Sequence, residues 1–168
     1  ALNRGVKPQK KISEYGKQLR EKQKLKAYYG VLEKQFKIYV EAAMHSKGNS
    51  GEKLVQRLEQ RLDNMTYRLG FASTLRQARQ MVVHGHILVN GKKVDRPSYK
   101  VEVEDTISLK EKSKSIAIFK DSFTSTTTNL PYLEKNLNDF SGKLIAEPKR
   151  DQVPIEVTDS YIIEFYSK

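Results

Sequence analysis

The chain has 168 residues, of which 38% are hydrophobic, and its 31 Lys and Arg against 20 Asp and Glu give a formal net charge of +11. A phosphate-rich partner explains such an excess, and the length suffices for two compact units. The sequence contains no Cys, which excludes disulfides and thiolate metal sites and fits a reducing compartment. It has no apolar run long enough to span a membrane and no signal-peptide pattern, which predicts a cytoplasmic protein.

The charge is distributed unevenly along the chain. Residues 1–37 hold eleven Lys or Arg and three acidic residues, and residues 57–100 hold nine and three. Residues 38–56 are balanced, whereas residues 101–168 hold nine basic and twelve acidic residues. A single basic run is ordinarily a solvated helix face, but two basic blocks beside an acidic remainder favour a polyanion-binding surface within the first hundred residues.

Residues 13–43 have a helical pattern that Gly16 and Gly30 interrupt. Its aromatic residues either pack between helices or stack on nucleic-acid bases, and packing is the commoner role. These aromatic residues are Tyr15, Tyr28, Tyr29, Phe36 and Tyr39. The basic residues interleaved with them are candidate RNA contacts: Lys17, Arg20, Lys22, Lys24 and Lys26.

A turn at residues 47–52 leads into the next predicted helix, with Asn49 or Ser50 as its N-cap. Apolar residues then recur at a spacing that predicts one continuous helix with a narrow buried face: Leu54, Leu58, Leu62, Met65 and Leu69. Three candidate RNA-binding residues lie with Asn64 on the stripe beside that face: Arg57, Arg61 and Arg68. The alternative is that they pair with Glu59 or Asp63, although two carboxylates do not neutralise three Arg.

Residues 70–73 end that helix, and Thr74 with Gln77 predicts a capping box for the next. On this second helix Leu75, Ala78 and Val82 form the predicted buried stripe. The candidate RNA-binding residues Arg76, Arg79 and Gln80 fall with Val83 on another face, so both Arg are expected to point outward together.

Gly85 is a natural helix stop, and Asn90-Gly91 predicts a type I′ turn that joins two short strands. Residues 101–109 alternate apolar and polar residues as further strands. The polar and basic residues of this hairpin and of the loop after it complete the candidate RNA-binding set: His84, His86, Asn90, Lys92, Lys93, Arg96 and Lys100.

Beyond residue 110 the pattern predicts a short helix at 116–123, an exposed loop at 122–129 and strands at 130–133 and 143–146. Residues 161–166 fit either a strand or a helix, and a terminal helix is favoured. The fold class predicted from these elements is α+β, with a mostly helical part and a helix pair packed on a small antiparallel sheet.

No catalytic constellation is found in the sequence. His84 and His86 lack the further partners that a zinc site requires and are expected to face RNA or to pack against the turn. The stretch from Gly85 to Lys92 differs from a phosphate loop in its spacing and has Lys93 where Ser or Thr would bind magnesium. We therefore expect no enzymatic activity, no metal and no cofactor.

Nine stretches of the sequence, in this order, resemble the ribosomal protein S4 family of the bacterial small subunit over nearly the whole chain. They are SEYG (13–16), QLREKQK (18–24), YGV (29–31), RLDN (61–64), YR (67–68), RQARQ (76–80), HGHILVNG (84–91), SY (98–99) and IEFYSK (163–168). Each stretch alone is moderately specific, whereas their order and spacing together are very specific.

The resemblance implies a structural, non-enzymatic protein of the small (30S) subunit that binds the five-way junction in the 5′ domain of 16S rRNA early in assembly. It implies a helical domain at residues 1–60, completed by residues 155–168, and an S4-type RNA-binding domain at residues 61–154. It further implies contacts with ribosomal proteins S3 and S5, with the latter contact influencing decoding accuracy, and a location beside the messenger RNA entry channel.

The sequence departs from the family pattern at several positions. The given sequence begins at Ala1, so the rRNA contacts of the family's longer N-terminal arm, which in some members carries zinc-binding Cys, are expected to be either absent or in a removed segment. Ser73 and Leu75 stand where many relatives have Arg, and Ala146 and Glu147 stand where they have basic residues. These differences predict a narrower RNA surface than is usual in the family.

The residues alone predict a coarser mechanism in which Lys and Arg neutralise phosphates and rigid elements recognise a folded RNA shape. Replacing Arg76 and Arg79 by Ala is then expected to remove about two phosphate contacts. The slope of log K against log salt should flatten by roughly 0.7 to 0.9 for each lost contact. Two rivals stay open: an RNA-modifying enzyme that uses the same module for targeting, and a free RNA-binding factor.

Overall fold

The computed structural model describes residues 12–167. Seven α-helices lie in this part of the chain: α1 (Glu14–Tyr29), α2 (Glu33–His45), α3 (Ser50–Glu59), α4 (Leu62–Arg68), α5 (Leu75–Val83), α6 (Ala117–Ser125) and α7 (Asp159–Tyr166). The same range contains five strands: β1 (Ile87–Val89), β2 (Lys92–Lys93), β3 (Thr106–Leu109), β4 (Leu133–Asn136) and β5 (Ser141–Leu144). Two 3-10 helices complete the structure: Glu111–Ser115 and Arg150–Gln152.

The five strands form one antiparallel sheet with the order β2-β1-β3-β5-β4. Strands β1 and β2 are joined by the predicted two-residue turn, in which Asn90 (φ 52°) and Gly91 (φ 81°) both have the positive φ of a type I′ turn. The inner face of the sheet carries buried side chains, among them Ile87, Ile107 and Leu144. The helices and this sheet confirm the predicted α+β fold class.

The hydrophobic core is continuous from the N-terminal helices to the sheet, and includes Leu25 of α1, Leu58 of α3 and Leu144 of β5. Helix α7 packs on α1, α2 and α3. The backbone N–H of Thr158, just before α7, donates to Glu21 of α1 at 2.9 Å. Helix α7 therefore lies on the N-terminal helices, while the predicted domain boundaries stay a prediction.

The predicted single helix across residues 54–69 is wrong, because the chain breaks between α3 and α4 at Gln60 and Arg61. A distant segment causes the break. The N–H of Val101 donates to the carbonyl oxygen of Gln60, and the side-chain amide of Gln60 donates to the carbonyl oxygen of Val101. The carbonyl groups of Pro97 and Tyr99 accept from the first free N–H groups of α4. The apolar spacing survives the break, so the leucines are buried as predicted although the helix is not continuous.

Local hydrogen bonds begin and end the helices largely as predicted. Asn49 is the N-cap of α3 and accepts from the N–H of Glu52 at 3.1 Å, and Thr74 caps α5 by accepting from Gln77 at 3.0 Å. The return half of the predicted capping box differs, because the Gln77 side chain accepts from the backbone N–H of Ser73. Gly85 ends α5 with φ 78°, and the N–H of the residue after it bonds back into the last turn.

The C-terminal third differs in its boundaries. Helix α6 runs through Ser125, so the predicted exposed loop at 122–129 is helical in its first half. Strand β4 begins at Leu133 and not at residue 130 as predicted, and β5 begins at Ser141 and not at residue 143. Val101 and Val103 lie outside β3, since Val101 pairs instead with the α3–α4 break. The terminal helix is confirmed as α7.

Candidate nucleic-acid interface

Helix α5 and the hairpin after it present a row of exposed polar and basic side chains. We name it the basic ridge, and it consists of Arg76, Gln80, His84, Lys92 and Lys93. The capped helix fixes the first three residues and the type I′ turn fixes the two lysines. The side chain of Lys93 also lies against Gly85, 3.3 Å from where a Cβ atom would stand. The ridge is therefore held by two rigid elements that touch each other.

The charge of the ridge is not neutralised within the described part of the chain. Arg76, Lys92 and Lys93 form no ion pair with any described carboxylate. Two predicted residues of the following loop are also exposed, Arg96 over the ring of Tyr99 at 5.9 Å and Lys100 at 3.8 Å from a carboxylate oxygen of Glu102. This surface can attract phosphate without first breaking buried contacts.

Two predicted RNA-binding residues of this region hold the fold together instead. The Asn90 side chain donates to Asp105 at 2.8 Å and accepts from the N–H of Thr106 at 2.9 Å, which ties the turn to β3. His86 is hydrogen-bonded through Nδ1 to Ser113 at 2.7 Å, and burial, aided by nearby cationic groups, lowers its pKa. Of the two roles expected for the histidines, His86 has the packing one, and His84 is exposed.

The five predicted basic residues of α1 are mostly paired with carboxylates. Burial works to raise the pKa of Glu33, but hydrogen bonds from Lys22 (2.8 Å), Lys26 (2.9 Å) and Tyr166 (2.9 Å) lower it to about 2. The remaining pairs of α1 are Lys24 with Glu21 at 2.9 Å and Lys17 with Glu14 at 3.4 Å. Arg20 is exposed and forms no ion pair with a described residue.

The aromatic side chains of residues 13–43 divide between the core and the surface. Tyr29, Phe36 and Tyr39 are buried and belong to the core, which is the packing role. Tyr28 is 40% exposed and meets Tyr29 edge-on. Tyr15 is 55% exposed and lies 5.6 Å from the ring of Phe165. Base stacking on these two rings stays a prediction.

Asp63 is fully buried and holds two arginines. Its Oδ2 accepts from Nη2 of Arg61 and from Nε of Arg79, both at 3.1 Å, and its Oδ1 accepts from Nε of Arg61 at 3.1 Å and from the N–H of Asn64 at 2.7 Å. Arg79 also donates to the carbonyl oxygen of Tyr29 at 3.0 Å. The prediction that Arg76 and Arg79 point outward together is therefore wrong: Arg79 turns toward the end of α1, and only Arg76 is fully exposed.

Glu59 forms a second buried cluster on the other side of the α3–α4 break. It accepts from the hydroxyl groups of Tyr29 and Tyr132, both at 2.7 Å, and from Arg68 through Nε at 2.9 Å and Nη2 at 3.2 Å. Burial, together with the negative charge of Glu59, raises the pKa of both tyrosines. Arg68, predicted to contact RNA, is therefore paired inside the protein, with its side chain 9% exposed.

Two family models match this chain side by side, the Ribosomal protein S4/S9 N-terminal domain at residues 2–59 and the S4 domain at residues 60–107. The chain is 61% identical over all 168 residues to Small ribosomal subunit protein uS4B of Clostridium acetobutylicum and covers 87% of that protein. The chain belongs to the family of small ribosomal subunit protein uS4. Over 160 residues it is 52% identical to uS4 of Clostridium beijerinckii and 51% identical to uS4A of Clostridium acetobutylicum, covering 77% of each.

The S4 domain match of this uS4 family member contains the whole basic ridge and the buried carboxylate of Asp63. The other buried carboxylate, Glu59, precedes the match by one residue. Among residues 12–167 no group of three or more His, Asp or Glu is arranged to hold a metal ion. In the same range no helix is both long enough and apolar enough to cross a membrane.

Sequence analysis of this uS4 chain gave pairing with Glu59 or Asp63 only as the alternative, and it missed the role of Gly30. Gly30 ends α1 with φ 63°, and Arg79 Nη2 lies 2.7 Å from where a Cβ atom of Gly30 would stand. The available signal was the alternation of acidic residues and Arg inside an otherwise apolar stripe at residues 57–68. Charged residues in such a stripe are seldom buried unless they are paired.

Proposed function

We propose that this uS4 family member is a structural constituent of the small ribosomal subunit that binds small-subunit rRNA through the basic ridge. The observation that carries the proposal is the exposed, unpaired charge of Arg76, Lys92 and Lys93 on two rigid elements in contact. A preformed cationic surface binds a folded RNA by its phosphates and shape, without reading a base sequence. The names of the relatives support the same role, since each is a small-subunit ribosomal protein.

Eight exposed members of the predicted set form the proposed contact surface: Arg20, Arg76, Gln80, His84, Lys92, Lys93, Arg96 and Lys100. The paired members, among them Lys22 and Arg68, support the fold on which this surface stands. We divide the chain into a helical unit, residues 1–60 with 155–168, and an RNA-binding unit, residues 61–154. The packing of α7 on α1 supports that division.

The finer role is drawn from the family resemblance. It comprises binding at the five-way junction of the 5′ domain of 16S rRNA, nucleation of assembly, contacts with ribosomal proteins S3 and S5, and an influence on accuracy near the messenger RNA entry channel. High identity over the whole chain supports carrying this role over. It is a non-catalytic role, in keeping with relatives whose names describe ribosomal structure.

The salt dependence of rRNA binding tests the surface. Changing Lys92 and Lys93 to Ala removes two unpaired charges, so the slope of log K against log salt should flatten by roughly 0.7 to 0.9 for each lost phosphate contact. Lys120→Ala is the control, because Lys120 is exposed on α6 and belongs neither to the basic ridge nor to the predicted RNA-binding set. Equal slopes for the double variant and the wild type would remove both lysines from the interface.

Cosedimentation separates the structural role from that of a free RNA-binding factor. A structural protein should remain at one copy per small subunit through washing at high salt, whereas a factor held only by phosphate contacts is released. A nuclease footprint on the rRNA would then test the junction: protection confined to the 5′ domain is expected, and protection elsewhere would contradict the finer role.

A further inference from the structure

Three guanidinium groups meet near the break between α3 and α4. Arg61 and Arg79 share the carboxylate of Asp63. Arg57 lies over the ring of Tyr39 at 4.8 Å, and Arg61 donates to the hydroxyl group of the same ring at 3.0 Å. The three guanidinium groups are thus linked through Tyr39 and Asp63, and Asp63 is the one buried carboxylate among them.

Glu102, the carboxylate that acts on Arg57, does not neutralise this excess of positive charge. Glu102 is exposed and lies 3.8 Å from Lys100, so water and a lysine already compensate it. Burial, with Arg61 as a nearby like charge, lowers the pKa of Arg57. Like charges held together in a partly buried place repel one another unless an anion joins them.

The hydrogen-bonding capacity of the cluster is also incomplete. Nη1 of Arg57 is buried and has no partner, while its Nη2 donates to the carbonyl oxygen of Ser98 at 3.2 Å. Arg79 uses Nε for Asp63 and Nη2 for Tyr29. A guanidinium group has five N–H donors, so Arg79 retains donors that a further acceptor can take.

A cleft of about 300 Å³ opens directly on this cluster. Arg61 and Arg79 line it together with Gly30, Pro97 and Ser98. Arg79 has 35% of its side chain exposed, and Gly30 is exposed as well. Since Gly30 has no side chain, the guanidinium group of Arg79 can lie close to the end of α1, where Arg79 lines the opening.

We propose that this arginine cleft binds one phosphate group of the RNA backbone, with Arg79 and Arg61 as donors and Asp63 as the residue that positions both. This inference rests on the proposed function and adds to it a specific phosphate site between the end of α1 and the S4 domain match. Phosphate oxygens match the planar fork of Arg, and they supply the negative charge that the cluster lacks. Asp63 holds the two forks before RNA arrives, which reduces the ordering that binding requires.

The first experiment uses inorganic phosphate alone and needs no RNA. The Nε–Hε signals of the arginines are followed by NMR during titration of the full chain with phosphate, against potassium chloride at the same ionic strength. We expect a saturable shift of the Arg79 and Arg61 signals in the wild type and in Lys120→Gln, and its loss in Arg79→Gln. Equal shifts with phosphate and chloride, or shifts spread over all arginines, would overturn the site.

The second experiment measures binding of small-subunit rRNA as a function of salt for the same three proteins and for Arg79→Lys. Arg79→Gln should flatten the slope by one contact, roughly 0.7 to 0.9, and Lys120→Gln should leave it unchanged. Arg79→Lys keeps the charge without the fork, so it should keep the slope but bind more weakly at every salt concentration. Thermal unfolding of each variant identifies any that has lost its fold, and Arg79→Lys then carries the test.

The outcomes separate the two proposals. If the wild type does not bind rRNA at all, the proposed function fails, and the cleft proposal fails with it even where inorganic phosphate binds. If the wild type binds rRNA and folded Arg79→Gln has the wild-type slope, the cleft proposal is wrong while the basic ridge still stands. A phosphate shift without any change in the RNA slope also overturns the cleft proposal, because the site then takes only the free ion.

Discussion

Glu59 and Asp63 are four positions apart in sequence, and both are fully buried beside arginine, yet they form different kinds of site. Glu59 faces one guanidinium group and two tyrosine hydroxyl groups, so its charge is balanced and its two oxygens accept four hydrogen bonds. Asp63 is shared by two guanidinium groups beside an open cleft. The same residue types thus produce a closed neutral cluster in one place and a positively charged opening in the other.

The difference arises from the elements that meet at each carboxylate. Tyr29 of α1 and Tyr132 before β4 close the Glu59 cluster from two sides, which joins the N-terminal helices to the sheet. At Asp63 the neighbouring residue is Gly30, whose missing side chain leaves room for Arg79 and for solvent. Glu59 is therefore expected to matter most for stability, and Asp63 to matter for both stability and anion binding.

Replacing Glu59 is the strongest way to test this comparison. Glu59→Gln leaves Arg68 partly buried without a counter-charge, and we expect a loss of about 3–5 kcal/mol in the free energy of unfolding. Urea denaturation measures the loss. Glu14→Gln is the control, since Glu14 is exposed in its pair with Lys17. A loss as small as that of the control would show that the cluster does not stabilise the fold.

The second variant tests whether the Asp63 cluster is open. Asp63→Asn leaves Arg79 able to reach water but leaves Arg61, whose side chain is 7% exposed, without a counter-charge, so we expect a loss of about 3–5 kcal/mol, no larger than that of Glu59→Gln. Added phosphate should restore part of that stability by binding the freed guanidinium groups. It should restore less in Glu59→Gln, because only 9% of the Arg68 side chain is exposed, against 35% for Arg79. Equal restoration in the two variants, in unfolding curves with and without phosphate, would contradict the comparison.

Gly30 and Gly91 both have positive φ, and comparing their Ala variants tests whether the cleft needs a glycine at position 30. Gly91→Ala places a Cβ in open space and should cost about 1–2 kcal/mol from backbone strain alone. Gly30→Ala has the same strain and in addition brings the Cβ to 2.7 Å from Arg79, which must move. We expect Gly30→Ala to be the less stable of the two and to lose the phosphate-dependent Arg79 signal, whereas Gly91→Ala keeps it.

Replacing Glu33 should have the smallest effect on the free energy of unfolding. Glu33 faces two lysines, as Asp63 faces two arginines, but its side chain is 47% exposed. Its folded pKa of about 2 lies below the ordinary 4.5, so its contribution is full above pH 4.5 and is lost as the pH falls toward 2. Solvent screening keeps that contribution within roughly 0–1 kcal/mol. The stability difference between wild type and Glu33→Gln should shrink over this pH window; a constant difference would contradict the assignment.

Sequence reasoning predicted well those features that depend on neighbours in the chain. The turn at Asn90 and Gly91, the caps at Asn49 and Thr74 and the helix stop at Gly85 are all confirmed. Each depends on a backbone conformation or a hydrogen bond that spans only a few residues, so the residue type alone indicates it.

The two errors that change the candidate site involve partners far away in the sequence. The break at Gln60 depends on the segment at residues 97–101, and its apolar spacing fits a continuous helix equally well. Arg79 turns inward because Asp63 and the end of α1 lie beside it. No periodicity within a single helix contains that information.

The sequence by itself determined the excess of basic residues, the α+β fold class, the local turns and caps, and the family membership indicated by the nine stretches that resemble the S4 family. Only the tertiary structure decided which cationic side chains are exposed on the basic ridge and which form ion pairs with Glu59, Asp63 and Glu33. The physical reason is that the charge of a residue is a local property, whereas its neutralisation depends on burial and on the carboxylates that folding brings within hydrogen-bond distance.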